Sequence, residues 1–590
     1  MDQDAGPSSA ATAPAAPPSS TLTDAQRLKQ LSAELSALPM REQMRMYYER
    51  LFPVQQMHRW LAYGNGEHGG SPVPTTLVAG RPASHASRSQ PTQHPPPNQP
   101  PNKTESTSTH PAADRAFFQR RELCFTLDGD IFARYQSFPD APSLARSLRQ
   151  RVPSKIDIGP VYTYDPRDRA KYGRDFRPVE RELVFDVDLT DYDDVRTCGS
   201  GGHICKQCWP LMAAAVEVMD SVLRADFGFK HVLWVYSGRR GVHGWVCDAG
   251  ARQLADEVRA ALVGFCSVYR GSEAAAAGDN GAPAATTTTP EGISRVRLAT
   301  GSTRHPSVER AYQILRRAWE TRVLPAQGLL DDSARGDGVP AGGEGGWARV
   351  LQYVPDEAVR QALVKAWCNG RLLHGGNGGD ASDSVSVARW HDLVAEVERA
   401  AARAARGGGG GGNGAATAAA SSRQRAAALN RAVPDIVLAF TYPRLDVEVS
   451  KKMNHLLKAP FCVHPKTGRV CVPVEAARVW EFDPEAAFLG GGGGGGGGGK
   501  KGGGGGKSTG DFAPRLTDLL AEAALAQQKG VPVGPQLWRE TGLAPSLRFF
   551  EEGFLAPLAA EARAALTAGS KEAGAAATTA TRGGAAGLAW

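Results

Sequence analysis

The 590-residue sequence has no apolar run approaching the roughly 20 residues that a membrane-spanning helix requires. It also has no apolar core behind its first residues. The stretch "MDQDAGPSSAATAPAAPPSS" is polar and carries early acids, so no secretory signal is expected. The early arginines of a transit peptide are missing too. Cysteine is sparse. Of the nine, three fall in one short stretch and six are scattered singly, which is not the framework of a disulfide-stapled secreted domain. Nor is there a strong excess of one charge. A net charge of +7 spread along the chain permits an acidic partner such as nucleic acid without demanding one. These absences lead us to expect a soluble, intracellular, reduced protein with no membrane partner.

Glycine (68) and proline (40) are plentiful, and they cluster. Low-complexity stretches occupy 1–22, 65–113, 271–291 and 490–510, and a further one runs from 567 to 590. Such compositions bury too little apolar surface to offset backbone entropy, so they are expected to be disordered termini and insertions in surface loops. Between them lie 23–64, which reads as amphipathic helices, and 114–270, which reads as strands with one strongly apolar helix. Residues 292–425 read as a helical subdomain with low-complexity loops at 332–346, 369–384 and 401–425. Strand character returns within 426–489, at "PRLDVEVS", and 511–566 read as closing helices. The order strand, helix, strand, then a late return predicts one α/β (α+β) catalytic core with a mixed sheet and a helical excursion.

The chemistry starts at "ELVFDVDLTDYDD". Side chains alternate along a strand, so Val184, Asp186 and Asp188 share one face while Leu183, Phe185, Val187 and Leu189 share the other. Two like charges on one face of a largely apolar strand repel, and burial raises the cost of each. A divalent cation, Mg²⁺ or Mn²⁺, would offset both, because hard cations take oxygen ligands. The acids after the pair, Asp191, Asp193 and Asp194, read as solvated residues of a turn.

Two further stretches supply cations. In "YSGRRGVHGWVCD" two strands flank Ser237-Gly238-Arg239-Arg240-Gly241. The glycines allow a tight turn, and the arginines are fixed forks matched to phosphate oxygens, with Ser237 and His243 as added donors. In "PRLDVEVSKKMNHLLKAPFCVHPKTGRV", Asp446 sits in a strand-like alternation and is a candidate third carboxylate for the same metals. His455 and Lys458, three apart in a helix-like piece, share a face. With His464 they would form a second cationic wall for a triphosphate.

The stretch "CGSGGHICKQCW" places Cys198, His203, Cys205 and Cys208 at zinc spacing. Four protein ligands would close the shell, so a structural rather than a catalytic zinc is expected. One decoy can be cleared: "GGGGGKST" lacks the first glycine of a phosphate-binding loop, because Lys501 stands there, and no strand precedes it.

Together these motifs resemble the small catalytic subunit of eukaryotic DNA primase, of the archaeo-eukaryotic primase family. So do "YYERLFP", "RELCFTLDGDIFARYQSF", "KIDIGPVY" and "GLAPSLRFFEEGFL". The resemblance covers about 23–566 between the insertions. It implies a mixed α/β catalytic core with a zinc module at 198–208, and synthesis of short RNA primers on single-stranded DNA from ribonucleoside triphosphates. It implies that Asp186, Asp188 and Asp446 bind metal and that Ser237, Arg239, Arg240, His243, His455, Lys458 and His464 contact nucleotide. Glu122 and Arg134 match residues placed at the active site. The implied partners are the large primase subunit, which carries an iron–sulfur cluster, and DNA polymerase α with its accessory subunit. The implied location is the nucleus. The family begins its zinc motif with two adjacent cysteines; here Gly199 follows Cys198, and His203 stands as the substitute ligand. Other readings of the same motifs are a primase-polymerase or repair polymerase of this fold, or a template-binding subunit without catalysis.

Overall fold

The computed structural model describes residues 22–65, 114, 116–268, 286–288, 294–296, 304–331, 346–374, 384–406, 415–486 and 512–568. The glycine tract with its phosphate-loop decoy and the larger low-complexity stretches lie outside these residues.

The strands are β1 (Arg121–Leu127), β2 (Ile131–Gln136), β3 (Lys155–Tyr162), β4 (Pro178–Glu180), β5 (Leu183–Asp188), β6 (Val232–Tyr236), β7 (Gly241–Val246), β8 (Thr286–Thr288), β9 (Ser294–Val296), β10 (Leu457–Lys458) and β11 (Pro473–Val474). They build two main antiparallel sheets. One runs β10-β3-β1-β2, with β4 also on β3; the other runs β11-β6-β7-β5; β8 and β9 pair alone. Every pairing between these strands is antiparallel, which corrects the expected mixed sheet: short turns at 128–130 and 237–240 join β1 to β2 and β6 to β7 as hairpins, a connection that parallel neighbours cannot make.

Each sheet is anchored by helices whose apolar faces the sequence dictates. The helix Trp209–Ala225 is nearly continuous in apolar residues and buries Leu211, Met212, Ala215, Val216 and Met219. The N-terminal helix Val54–Ala62 buries Met57, Trp60 and Leu61, and the Trp60 ring meets Trp245 of β7 edge-on at 5.4 Å. Between β7 and β10 the described chain is mostly helical. The helices Val385–Arg406 and Ala415–Thr441 run side by side, and Trp319 meets Trp390 at 5.3 Å.

Three local expectations are corrected. The segment 401–425, read as a low-complexity loop, is helical up to Arg406 and again from Ala415. Its alanines are the best helix formers, and a neighbouring helix supplies the packing. The alternation "LDVEV" is not a strand: Asp446 is the N-cap of a short helix, Val447–Lys451, and its side chain accepts from the Glu448 N–H at 3.1 Å. His455 and Lys458 do not lie on a helix; Lys458 belongs to β10, opposite Asp157 of β3.

Candidate active site

The two sheets face each other across a cleft of about 380 Å³. β5 and β7 floor one side and β3 and β10 the other. Asp186, Asp188, Ser237, Arg239, Arg240, His243, Asp446, His455, Lys458 and His464 all line it. Ten of the residues singled out from sequence thus meet in one place.

Register explains how. Asp186 of β5 pairs with His243 of β7, and Asp188 with Gly241, so the carboxylates stand beside the Ser-Gly-Arg-Arg turn. A Cβ at Gly241 would come within 2.6 Å of the Val187 carbonyl, and Gly238 has φ +83° with His464 packed against it. Both glycines are therefore required by close approach, Gly238 by its backbone conformation as well. Asp446 arrives from 260 positions away, and its N–H donates to the Asp186 carbonyl at 3.0 Å.

The three carboxylates differ in their partners. Asp188 accepts from the Thr190 N–H and hydroxyl at 2.9 and 2.8 Å and from Arg240 Nε at 2.8 Å. Asp446 is occupied as a helix cap. The Asp186 side chain is 27 % exposed, and among the described residues the one nitrogen side chain in ion-pair range is His243, whose Nε2 stands 3.7 Å away and whose ring is neutral near pH 7. Burial, then the neighbouring Asp188, Asp446 and Asp191, push its carboxyl up to about 7 against the pull of Arg240. Two unit charges some 6 Å apart repel by roughly 3 kcal/mol at an effective dielectric near 20. The donor set thus fits a divalent cation, all oxygen and electrostatically short of positive charge. The carboxylates are not drawn into a tight trio, since among the described residues only a cysteine group gathers three such ligand atoms within 4.8 Å.

The opposite wall is cationic. Lys458 Nζ donates to the Ser237 carbonyl at 3.0 Å, and Thr467 Oγ1 donates to the Gly238 carbonyl at 2.7 Å, so the β10 segment clamps the arginine turn. Arg239 reaches the Gly202 carbonyl at 3.2 Å. Burial and then Lys458 push the pKa of both His243 and His464 down to about 3, so each is neutral near pH 7. Burial and then Arg181 lower His455 as well. The buried Nδ1 of His243 has no hydrogen-bond partner among the described residues.

Lys155 and Asp157 also line the cleft, 3.0 Å apart, and were missed from sequence. The signal was available: "KIDIG" sets Lys155 and Asp157 on one strand face by the same alternation that gave Asp186 and Asp188. Glu122 and Arg134 do not line the cleft. Glu122 is fully buried, accepting from Arg134 Nε at 2.9 Å, the Tyr135 N–H at 3.1 Å and the Tyr162 hydroxyl at 3.0 Å. The acids after β5 are not simply solvated either. Asp193 holds Arg196 at 2.6 Å and the Gly201 N–H at 2.8 Å, and Asp194 pairs with Arg444.

Cys198, Cys205 and Cys208 bring their sulfurs within 4.8 Å of one another. That fits zinc, whose tetrahedral thiolates stand about 3.8 Å apart for 2.3 Å bonds. His203 is not in the trio: it is exposed, and a Cβ at Gly199 would lie 2.6 Å from its ring. Gln327 binds the loop from the helical excursion, donating to Cys198 Sγ at 3.5 Å and the Gln207 carbonyl at 2.6 Å.

A family model described as "DNA primase small subunit" matches residues 185–476, which hold the carboxylates, the arginine turn and the β10 wall. The DNA primase small subunit of Schizosaccharomyces pombe is 38 % identical over 370 residues, 62 % of this chain and 68 % of that protein. That of Drosophila melanogaster is 33 % identical over 445 residues, 75 % and 79 % of the two chains. The archaeal DNA primase small subunit PriS of Methanothermobacter thermautotrophicus is 34 % identical over 137 residues, 23 % of this chain and 40 % of that protein. The chain belongs to the DNA primase small subunit family.

Proposed function

We propose that this chain is the catalytic subunit of a DNA primase, a nucleotidyltransferase that joins ribonucleotides into short RNA primers on single-stranded DNA. One observation carries this reading: three carboxylates and a wall of Lys155, Arg239, Arg240 and Lys458 line a single cleft. Asp186, Asp188 and Asp446 would hold two Mg²⁺ or Mn²⁺ ions, which supply Lewis acidity and offset charge on the transferring phosphoryl group. The arginine turn, Ser237, Lys458 and the neutral His243, His455 and His464 would hold the triphosphate in line, and positioning supplies much of the rate. Glu122 would act from behind, fixing Arg134 at the cleft's margin. Cys198, Cys205 and Cys208 would hold a structural zinc with His203 left out. The partners of this reading are the large iron–sulfur primase subunit and DNA polymerase α with its accessory subunit, and its location is the nucleus.

The test is primer synthesis on poly-dT by the purified chain, with and without the large subunit, in Mg²⁺ or Mn²⁺. Oligo-ribonucleotide product from ATP is expected. Product from deoxynucleotides alone would make it a primase-polymerase, and no product under any condition would make it a template-binding scaffold.

A further inference from the structure

The segment from Thr163 to Pro178 leaves the end of β3 and lies N-terminal to the residues matched by the family model. It reads "TYDPRDRAKYGRDFRP" and contains no Leu, Ile, Val or Met. Instead it interleaves rings with cations. Tyr164 and Tyr172 stack face to face, centroids 3.7 Å apart and planes within 4°, yet remain 38 % and 37 % exposed. Tyr162 and Phe176 stack beside them at 4.1 Å.

Its charges are unevenly matched. Asp165 takes Arg167 at 2.6 Å and Asp168 takes Lys171 at 2.8 Å. Arg169, Arg174 and Arg177 are exposed and, like the exposed Asp175 between the last two, form no ion pair among the described residues, which leaves an excess of two positive charges. Next to them, on β2, Tyr135 holds φ at +59°, a conformation unfavourable for a tyrosine. The Glu122 carboxylate holds it there, and its ring lies under two guanidinium groups, Arg169 at 4.3 Å and Arg134 at 4.8 Å.

One strand joins the patch to the cleft. β3 begins at Lys155 and Asp157, which line the cleft, and ends at Tyr162 beneath the patch. Midway, Gly159 has no side chain, and a Cβ there would meet Leu456 of the cleft lining at 2.7 Å.

We propose that residues 163–178, with Arg134 and Tyr135, form the platform on which the single-stranded template lies as it enters the cleft. This rests on the primase reading. Unpaired bases offer π-faces to the outer sides of the Tyr164–Tyr172 stack, and the unmatched arginines meet phosphates. Paired bases offer no such faces along a duplex, and an aliphatic protein anchor would find no aliphatic partner here.

The experiment is fluorescence anisotropy of the full chain with labelled oligo-dT at several salt concentrations. Tyr164→Leu with Tyr172→Leu is expected to weaken binding about tenfold, the scale of one missing base stack, while the phenylalanine pair at the same positions binds as the parent does. Arg169→Gln with Arg174→Gln should flatten the slope of log affinity against log salt by about 0.7 for each phosphate that is no longer neutralised. The template concentration for half-maximal primer synthesis should rise with the loss of binding, and the nucleotide KM should stay within about twofold, a change worth under 0.5 kcal/mol. Leucine variants that bind like the parent, or phenylalanine variants that fail equally, overturn the platform. Asp188→Ala separates the two proposals: it should lose synthesis and keep oligo-dT binding. Synthesis retained in Asp188→Ala sinks the carboxylate assignment, and no synthesis by the parent chain sinks the primase reading, whereas unaltered binding in the tyrosine and arginine variants sinks only the platform.

Discussion

Glu182 and Asp186 lie four residues apart on the same stretch of chain and have opposite fates. Glu182 is fully buried, yet Arg121 grips it at 2.8 and 2.9 Å, Arg181 stands at 3.1 Å and the Tyr63 hydroxyl donates at 2.6 Å. Burial alone would push its carboxyl up; Arg121 and then Arg181 outweigh it and hold the group well below the usual carboxylate range. Asp186 faces carboxylates instead and is pushed up to about 7. The first arrangement is matched within the chain and serves the fold. The second is mismatched, and a bound cation would supply the positive charge that it lacks.

The sharpest break in this contrast is Asp186→Asn. Primer synthesis should fall by at least about 10³-fold, because metal-ion charge stabilisation is worth several kcal/mol, while thermal unfolding shows no loss of stability. A variant with near-normal synthesis would place the metals elsewhere. Arg121→Met should do the reverse. Stripping a buried carboxylate of its partner costs about 3–5 kcal/mol, read as a shift in the urea midpoint. An unchanged midpoint would mean that Glu182 is not held as described.

The pH dependence sharpens the contrast further. A proton and a cation compete for Asp186, so Mn²⁺ affinity should rise as pH climbs towards about 7, by up to tenfold per unit, and level off above it. Calorimetry in buffers of different ionisation enthalpy should detect proton release at pH 6 and little at pH 8. Equal release at both would refute the raised value. A second mismatched carboxylate, Glu522, carries the same contrast away from the cleft. Burial and then Asp518 raise it to about 8 despite the Gly542 N–H, and its Oε1 has no partner among the described residues. Because the folded value lies above the unfolded one, this group's contribution is present at low pH and fades as pH rises through about 8. Glu522→Gln should therefore raise the melting temperature at pH 9 relative to the parent, and leave it nearly unchanged at pH 5.

Much of the cleft was legible because strand alternation is a local rule. Asp186 and Asp188 followed from it, and so did the arginine turn between two apolar runs. What escaped was set by partners distant in sequence. "LDVEV" alternates as a strand does, but the Asp446 N–H is taken by β5 and its side chain caps a helix, so tertiary context overrode the pattern. Lys458 became a strand residue because β3 offered an edge. Asp193 and Asp194 look like turn acids until Arg196 and Arg444 are seen beside them. The alanines of 415–425 read as filler, since composition alone does not show the helix Ala415–Thr441 that they open.

The bond from the Asp446 N–H to the Asp186 carbonyl closes a circuit of 260 residues. At about 5–20 residues per second, a ribosome delivers Asp446 some 13–50 s after Asp186. For most of that interval the nascent chain has its arginine turn but not its third carboxylate, and it should be unable to polymerise nucleotides. Lengthening the excursion would prolong that silent period while costing only about 0.6 kcal/mol for each doubling. Insertions there alter when the site becomes competent far more than how well it is made.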